Sequence, residues 1–138
     1  MLIATLMFLK FIYFTQEAVN NSNIFENIAS FFNVAVGTKV WKLSRLRGLK
    51  EGPFVYFESY FHPRIGLKGT EDFTRPLYDI LENDYHVIPT VSKEKIKAKS
   101  ASKITADRLR IDAGEPVLVR ERFVSDPGEK PIEYNIGF

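Results

Sequence analysis

Two pairs of arginines on strand-like segments are the residues best suited to bind something. Arg45 and Arg47 stand two positions apart, as do Arg120 and Arg122. Successive side chains of a strand alternate between faces, so each pair projects from one face. Trp41 and Leu43 share the parity of Arg45 and Arg47, and side chains that large and apolar draw the face toward the interior. A guanidinium removed from water needs anionic company. Its planar fork matches a carboxylate or a phosphate. Two readings follow: internal pairing with Glu58 or Glu133, or a pocket for a small anion.

Glu58 has Phe54, Tyr56 and Tyr60 on its own parity. A carboxylate flanked by aromatic rings suits a ligand hydroxyl or amine as well as it suits an arginine. Glu133 holds a comparable place in the last hairpin. Lys93, Lys95, Lys97 and Lys99 occupy every second position. Such a stripe fits either a nucleic-acid contact or, more simply, a solvated face that protects an edge strand from pairing with other chains. His62 and His86 lack metal-ligand spacing. No nucleophile motif, glycine-rich phosphate loop or metal signature is present, so the expectation is a non-enzymatic protein without a cofactor.

With 138 residues, 45% of them hydrophobic and twelve of them phenylalanine, the chain forms one domain that buries roughly two-thirds of its unfolded surface. A net charge of +2 is too small to argue for nucleic acid by electrostatics. The absence of cysteine excludes disulfides and thiolate metal sites and agrees with a cytoplasmic location. The apolar start, Met1 to Phe14, is shorter than the roughly 20 residues a membrane span requires and has no basic leader region. A buried strand around Phe8 to Phe14 is the expectation there.

The elements that carry these residues come as a repeat. Ala29, Phe32, Val34, Gly37 and Val40 recur 77 positions later as Ala106, Leu109, Ile111, Gly114 and Val117. Each copy reads as the end of a helix, a glycine turn and a strand with two arginines. A proline-containing turn and a second strand follow. Asn23 to Glu26 has the spacing of a capping box for the first helix. Strands are expected over Val40 to Arg47, Phe54 to Phe61, Val91 to Ala101, Val117 to Ser125 and Ile132 to Phe138. Thr74 can cap a helix in which the early Pro76 costs little, and Leu77, Ile80 and Leu81 give that helix a buried stripe. A further short helix is expected near Thr105 to Arg110. Helices alternating with hairpins predict an α+β fold with a mainly antiparallel sheet, flanking helices and an internal two-fold repeat.

The run Ile28-Ala29, Gly37-Thr38-Lys39-Val40, Arg45-Leu46-Arg47, Pro53, Glu58 and Leu77-Tyr78, continued by Ala106, Leu109, Gly114, Pro116-Val117 and Pro131-Ile132-Glu133-Tyr134, strongly resembles the UTRA domain. That is the effector-binding half of the HutC subfamily of GntR transcription regulators. The likeness runs from around Lys10 to the C-terminal residue. It implies a chorismate-lyase-like fold, a homodimer, and a small anionic effector, a sugar phosphate or a carboxylate. The effector would change how an N-terminal winged helix-turn-helix engages operator DNA. No such segment is recognisable in this chain, so the chain alone is not expected to bind DNA, nor to have a membrane partner. Carried over by position, Arg45 and Arg47 resemble the arginines that hold the effector's phosphate or carboxylate, and Glu58 and Glu133 its polar contacts. The family's Ser-Phe-Thr anion loop is not recognisable. Pro76 stands where related sensors often carry Ser, which leaves Thr74 and the helix N-terminus as donors. The alternatives are a small chorismate-lyase-like enzyme acting on a carboxylated substrate, and a purely structural dimerisation module.

Overall fold

The structure, a computed structural model, describes residues 13–49 and 51–138, and for residues 13–23 the backbone alone. The strand expected over Phe8 to Phe14 therefore lies mostly outside the described residues. In chain order the elements are β1 (Tyr13–Asn23), α1 (Glu26–Phe32), β2 (Lys39–Leu49), β3 (Gly52–Phe61), α2 (Leu77–Asp79), β4 (Val91–Ser100), α3 (Lys103–Leu109), β5 (Pro116–Ser125) and β6 (Pro131–Gly137). A single turn of 3-10 helix, Pro63–Ile65, follows β3, and α2 widens into a π-helical turn over Ile80–Asp84. The fold is α+β. Its six strands lie in the order β1-β2-β3-β6-β5-β4, and every neighbouring pair is antiparallel.

Each of the longer helices ends on a left-handed residue, Asn33 after α1 and Arg110 after α3. Each is then followed by a glycine at positive φ, +84° at Gly37 and +88° at Gly114, just before the next strand. Glycine reaches that conformation without a Cβ penalty. Ser102 caps α3 by accepting a hydrogen bond from the Thr105 amide, which satisfies one of the orphan donors of the first turn. The capping box expected at Asn23 does not form. Asn23 is still paired with Lys39 in the β1–β2 ladder, so the helix begins after Phe25 with no side-chain cap.

The sheet buries both faces at one end. Leu43, Phe61 and Ile132 pack under the segment between β3 and β4, against Ile65, Leu67, Phe73, Leu77, Ile80 and Leu81. On the opposite face Val40, Tyr60 and Tyr134 pack under α1, against Ile24, Ile28, Ala29 and Phe32. Phe32, Leu43, Ile80, Leu81 and Ile132 are almost wholly removed from solvent, each contributing about 1.5–3 kcal/mol of transfer free energy. His62 fastens the β3–β4 segment to α1: its ring bonds the Phe32 carbonyl at 3.1 Å and accepts from the Arg64 amide at 3.1 Å.

The lysine-bearing strand β4 is an edge of the sheet. By register Lys93 and Lys95 lie opposite Phe123 and Glu121, and Lys95 sits over the Phe123 ring. That placement matches the solvated-edge reading. Among the described residues, no helix is long and apolar enough to cross a membrane, and no group of three or more His, Cys, Asp or Glu is placed to hold a metal ion.

Candidate functional site

Residues directly opposed in an antiparallel ladder share a face, so the registers assign the side chains of β2 to β6 to faces. Arg45 opposes Phe57, Phe57 opposes Gly137, and Gly137 opposes Arg120. The adjacent row runs Leu43, Ser59, Asn135, Arg122 and Glu94. Next to it come Trp41, Phe61 and Glu133. Arg45, Arg47, Arg120 and Arg122 thus stand on one face, two on each side of the central β3–β6 pair.

Glu133 is the centre of this group, with only 2% of its surface exposed. Its carboxylate accepts a hydrogen bond from the Tyr78 hydroxyl at 3.1 Å. Burial raises its pKa above the ordinary value and outweighs the opposing contributions of the Ser59 hydrogen bond and the Arg45 and Arg122 charges. Ser59 in turn accepts from the Asn135 side-chain amide at 2.8 Å. Arg45 is 9% exposed, and its Nε has no hydrogen-bond partner among the described residues. Burial lowers its pKa, with the Glu133 charge working against that shift. Arg47 is pushed down to about 10, first by burial and then by the like charge of Arg45.

The second pair is better supplied. Arg122 donates to Glu94 through Nε at 2.9 Å, with a second nitrogen at 2.9 Å from the same oxygen. Burial opposes its charge, but hydrogen bonds with Tyr78 and Glu94 prevail and hold its pKa above the usual value. Arg120 reaches that carboxylate oxygen only at 3.9 Å, and burial followed by the Arg122 charge lowers its pKa. The face is a cationic surface, partly desolvated, with two carboxyl groups: Glu94, paired with Arg122, and Glu133, whose pKa burial raises. Such an arrangement can hold an anion by charge-assisted hydrogen bonds.

Two expected site residues lie elsewhere. Glu58 opposes Ser44, not Arg45, so it projects from the other face and forms an ion pair with Lys42. A register shift at Arg47 and Gly48 sets this alignment. Thr74 is exposed and does not cap a helix: its hydroxyl and amide both bond Asp72, and the N-cap position of α2 is Pro76. Three contributors were not anticipated. Tyr78 stands in the sequence only within the Leu77-Tyr78 motif, and Ser59 and Asn135 are ordinary strand residues whose place on the arginine face is set by inter-strand register.

Two clefts lie away from the four arginines. One of about 130 Å³ is lined by Trp41, Phe61, His62 and Leu67 among others. Another of about 290 Å³ lies between Phe31, Val91, Lys93 and Phe123. Neither is bordered by any of the four arginines.

Comparison with known proteins places the fold. The ligand-binding domain assigned to a GntR-family transcriptional regulator of Bordetella bronchiseptica superposes with a TM-score of 0.80 at 24% identity, covering 91% of this chain and 81% of that one. A protein of Streptomyces coelicolor assigned as a transcriptional regulator gives 0.81 at 24% identity, with 90% and 83% covered. PhnF of Mycobacterium smegmatis gives 0.78 at 21% identity; 90% of this chain is covered, but it spans 56% of the PhnF chain. No curated protein matches the sequence. The model of the UTRA domain matches residues 19–138, which takes in all four arginines, Tyr78 and Glu133, and the chain belongs to the UTRA domain family.

Proposed function

We propose that this chain is the effector-binding and dimerisation domain of a bacterial GntR-family regulator of the HutC type. It senses a small anion, a sugar phosphate or a carboxylate, through Arg45 and Arg47 with Glu133 and Tyr78 beside them. The observation that carries this reading is Arg45: a buried guanidinium whose Nε lacks a partner among the described residues, next to a carboxyl group whose pKa burial raises. A purely structural arginine would be neutralised by an ionised carboxylate, because an uncompensated buried charge is costly. An incoming anion supplies that compensation.

An internal two-fold relation, proposed from the order of the elements, would put the site at a seam. Strand, helix and hairpin follow one another twice, as β1-α1-β2-β3 and β4-α3-β5-β6, and the two hairpins meet at the central β3–β6 pair. Effector bound across that pair favours one arrangement of the halves or of a homodimer and shifts its population. A winged helix-turn-helix domain in the full-length regulator reads the shift as a change in operator affinity.

A thermal-shift screen of sugar phosphates and carboxylated metabolites, with mass spectrometry of the mixtures, tests the reading. A ligand that stabilises the wild-type chain, is recovered unchanged, and fails to stabilise Arg47→Ala is the expected result. Turnover would transfer the site to the enzyme reading. Binding that persists in both Arg45→Met and Arg47→Ala would move it off this face. Sedimentation of the chain with and without ligand checks the dimer.

A further inference from the structure

Resting on the anion-sensing reading above, we infer that the site takes a dianion: a flat, apolar body carrying an anionic group at each of two ends. One end meets Arg45 and Arg47, and the other meets Arg120. The row Arg45, Phe57, Gly137, Arg120 crosses the sheet from β2 to β5. These strands are three spacings apart, about 14 Å between backbones, and a long side chain reaches inward from each side.

The floor between them is aromatic and low. Gly137 has no side chain, and the Phe57 ring occupies the space a Cβ would take, with ring carbons 2.8 and 2.9 Å from that position. Any other residue at 137 would push the ring away. The Arg120 guanidinium carbon stands 5.9 Å from the Phe57 ring centre, so the ring sits directly beside the second cation. A planar ligand body has an aromatic surface to lie on there.

Both ends carry charge that the described protein groups do not fully meet. At the first, Arg45 Nε lacks a partner and Glu133 is already engaged by Tyr78. At the second, a single carboxylate, Glu94, serves two arginines. Its Oε1 takes the Arg122 hydrogen bond, while Arg120 approaches no nearer than 3.9 Å. A monoanion would answer one end and leave the other, whereas a dianion answers both. The carboxyl near the middle, Glu133, has its pKa raised by burial, which lessens its repulsion of the ligand relative to an ordinary carboxylate.

Calorimetric titration at fixed ionic strength, with benzoate and terephthalate as probes, separates the cases. Terephthalate carries a second carboxylate across one ring and is expected to bind at least about tenfold more tightly than benzoate. In Arg120→Gln that advantage disappears, terephthalate falling to within about twofold of benzoate in the same variant. In Arg47→Ala both probes weaken. Phe57→Leu, which keeps an apolar side chain but removes the ring, is a second variant and should weaken both probes together. Equal affinity for the two probes, or an advantage that survives Arg120→Gln, overturns the dianion inference while leaving the anion site at Arg45 and Arg47 standing. If neither probe nor inorganic phosphate binds the folded wild-type chain, the anion-sensing reading falls, and this inference with it.

Discussion

Glu133→Gln tests the electrostatics of the site most directly, because it changes one charge and almost no volume. The wild-type carboxyl group is buried and its pKa lies above the ordinary 4.5. A group whose folded pKa is raised binds more protons folded than unfolded, so stability falls as pH rises between the two values. The stabilising contribution is complete below 4.5 and is lost as pH climbs through the folded pKa. Over that interval the slope approaches about 1.4 kcal/mol per pH unit, the free-energy equivalent of one unit of pKa. Glutamine cannot titrate and resembles the neutral acid in shape and in its ability to accept from Tyr78.

The assay is urea unfolding of both chains from pH 4 to pH 8, with the difference in stability plotted against pH. Other titrating groups are common to the two chains and cancel where they do not contact residue 133. Below pH 4.5 the difference should be within about 1 kcal/mol, the typical net value of one hydrogen bond. Above that, Glu133→Gln should gain on the wild type at up to the slope just given, and level off once the carboxyl group is ionised. A variant weakened by about 3 kcal/mol or more at neutral pH would refute the reasoning. That is the size expected when one partner of a working buried ion pair is removed, and it would mean that the Arg45 charge, not burial, governs Glu133.

Arg45→Met should leave stability unchanged or raise it by about 1 kcal/mol or more, since apolar residues often replace buried charges without loss; urea unfolding checks this, and calorimetry should show anion binding gone. Leu81→Ala, at a position with 0% exposure in the core beneath the β3–β4 segment, should cost about 2–5 kcal/mol, measured by the shift in unfolding midpoint. His62 is held neutral: burial lowers its pKa below 6.5, further helped by the Arg64 charge and only partly opposed by its bond to the Phe32 carbonyl. Its contribution is therefore present above pH 6.5 and is lost as pH falls through the folded value; this acid-side decline should be absent from His62→Gln and so appear in the difference curve between variant and wild type.

How far the site could be read from the residues comes down to parity. Within one strand parity is reliable, because the side-chain period is two whatever surrounds it. Trp41 and Leu43 correctly placed Arg45 and Arg47 on an inward face, and Tyr56, Glu58 and Tyr60 were correctly grouped with one another. Between strands parity depends on the register, and a shift of one residue exchanges the faces. The β2–β3 turn carries such an irregularity at Arg47 and Gly48, where neither proline nor glycine spacing dictates which residue is unpaired. Glu58 was consequently matched with arginines that stand on the other side of the sheet.

The proposed repeat carries information about faces that strand patterning lacks. Aligned on Pro53 and Pro131 of the two turns, 78 positions apart, Glu133 corresponds to Val55 and not to Glu58. Val55 opposes Arg47 across the β2–β3 ladder, so the correspondence pointed to the arginine face. Glu133 lies there, and so do the second arginines, because the two hairpins join edge to edge with their inward faces continuous. Tyr78 escaped both kinds of reasoning. It arrives from a segment of short turns that crosses over the sheet, and its contact with Glu133 spans 55 positions. No local period encodes a meeting at that distance; only the burial of Leu77, Ile80 and Leu81 against Leu43 and Ile132 fixes the segment and sets its hydroxyl on the carboxyl group. Apolar packing at one end of the sheet therefore governs the protonation of the group beside the proposed ligand. Loosening that packing, even without touching an arginine, should admit water to Glu133, return its pKa toward 4.5, and place a negative charge where an anion is meant to bind.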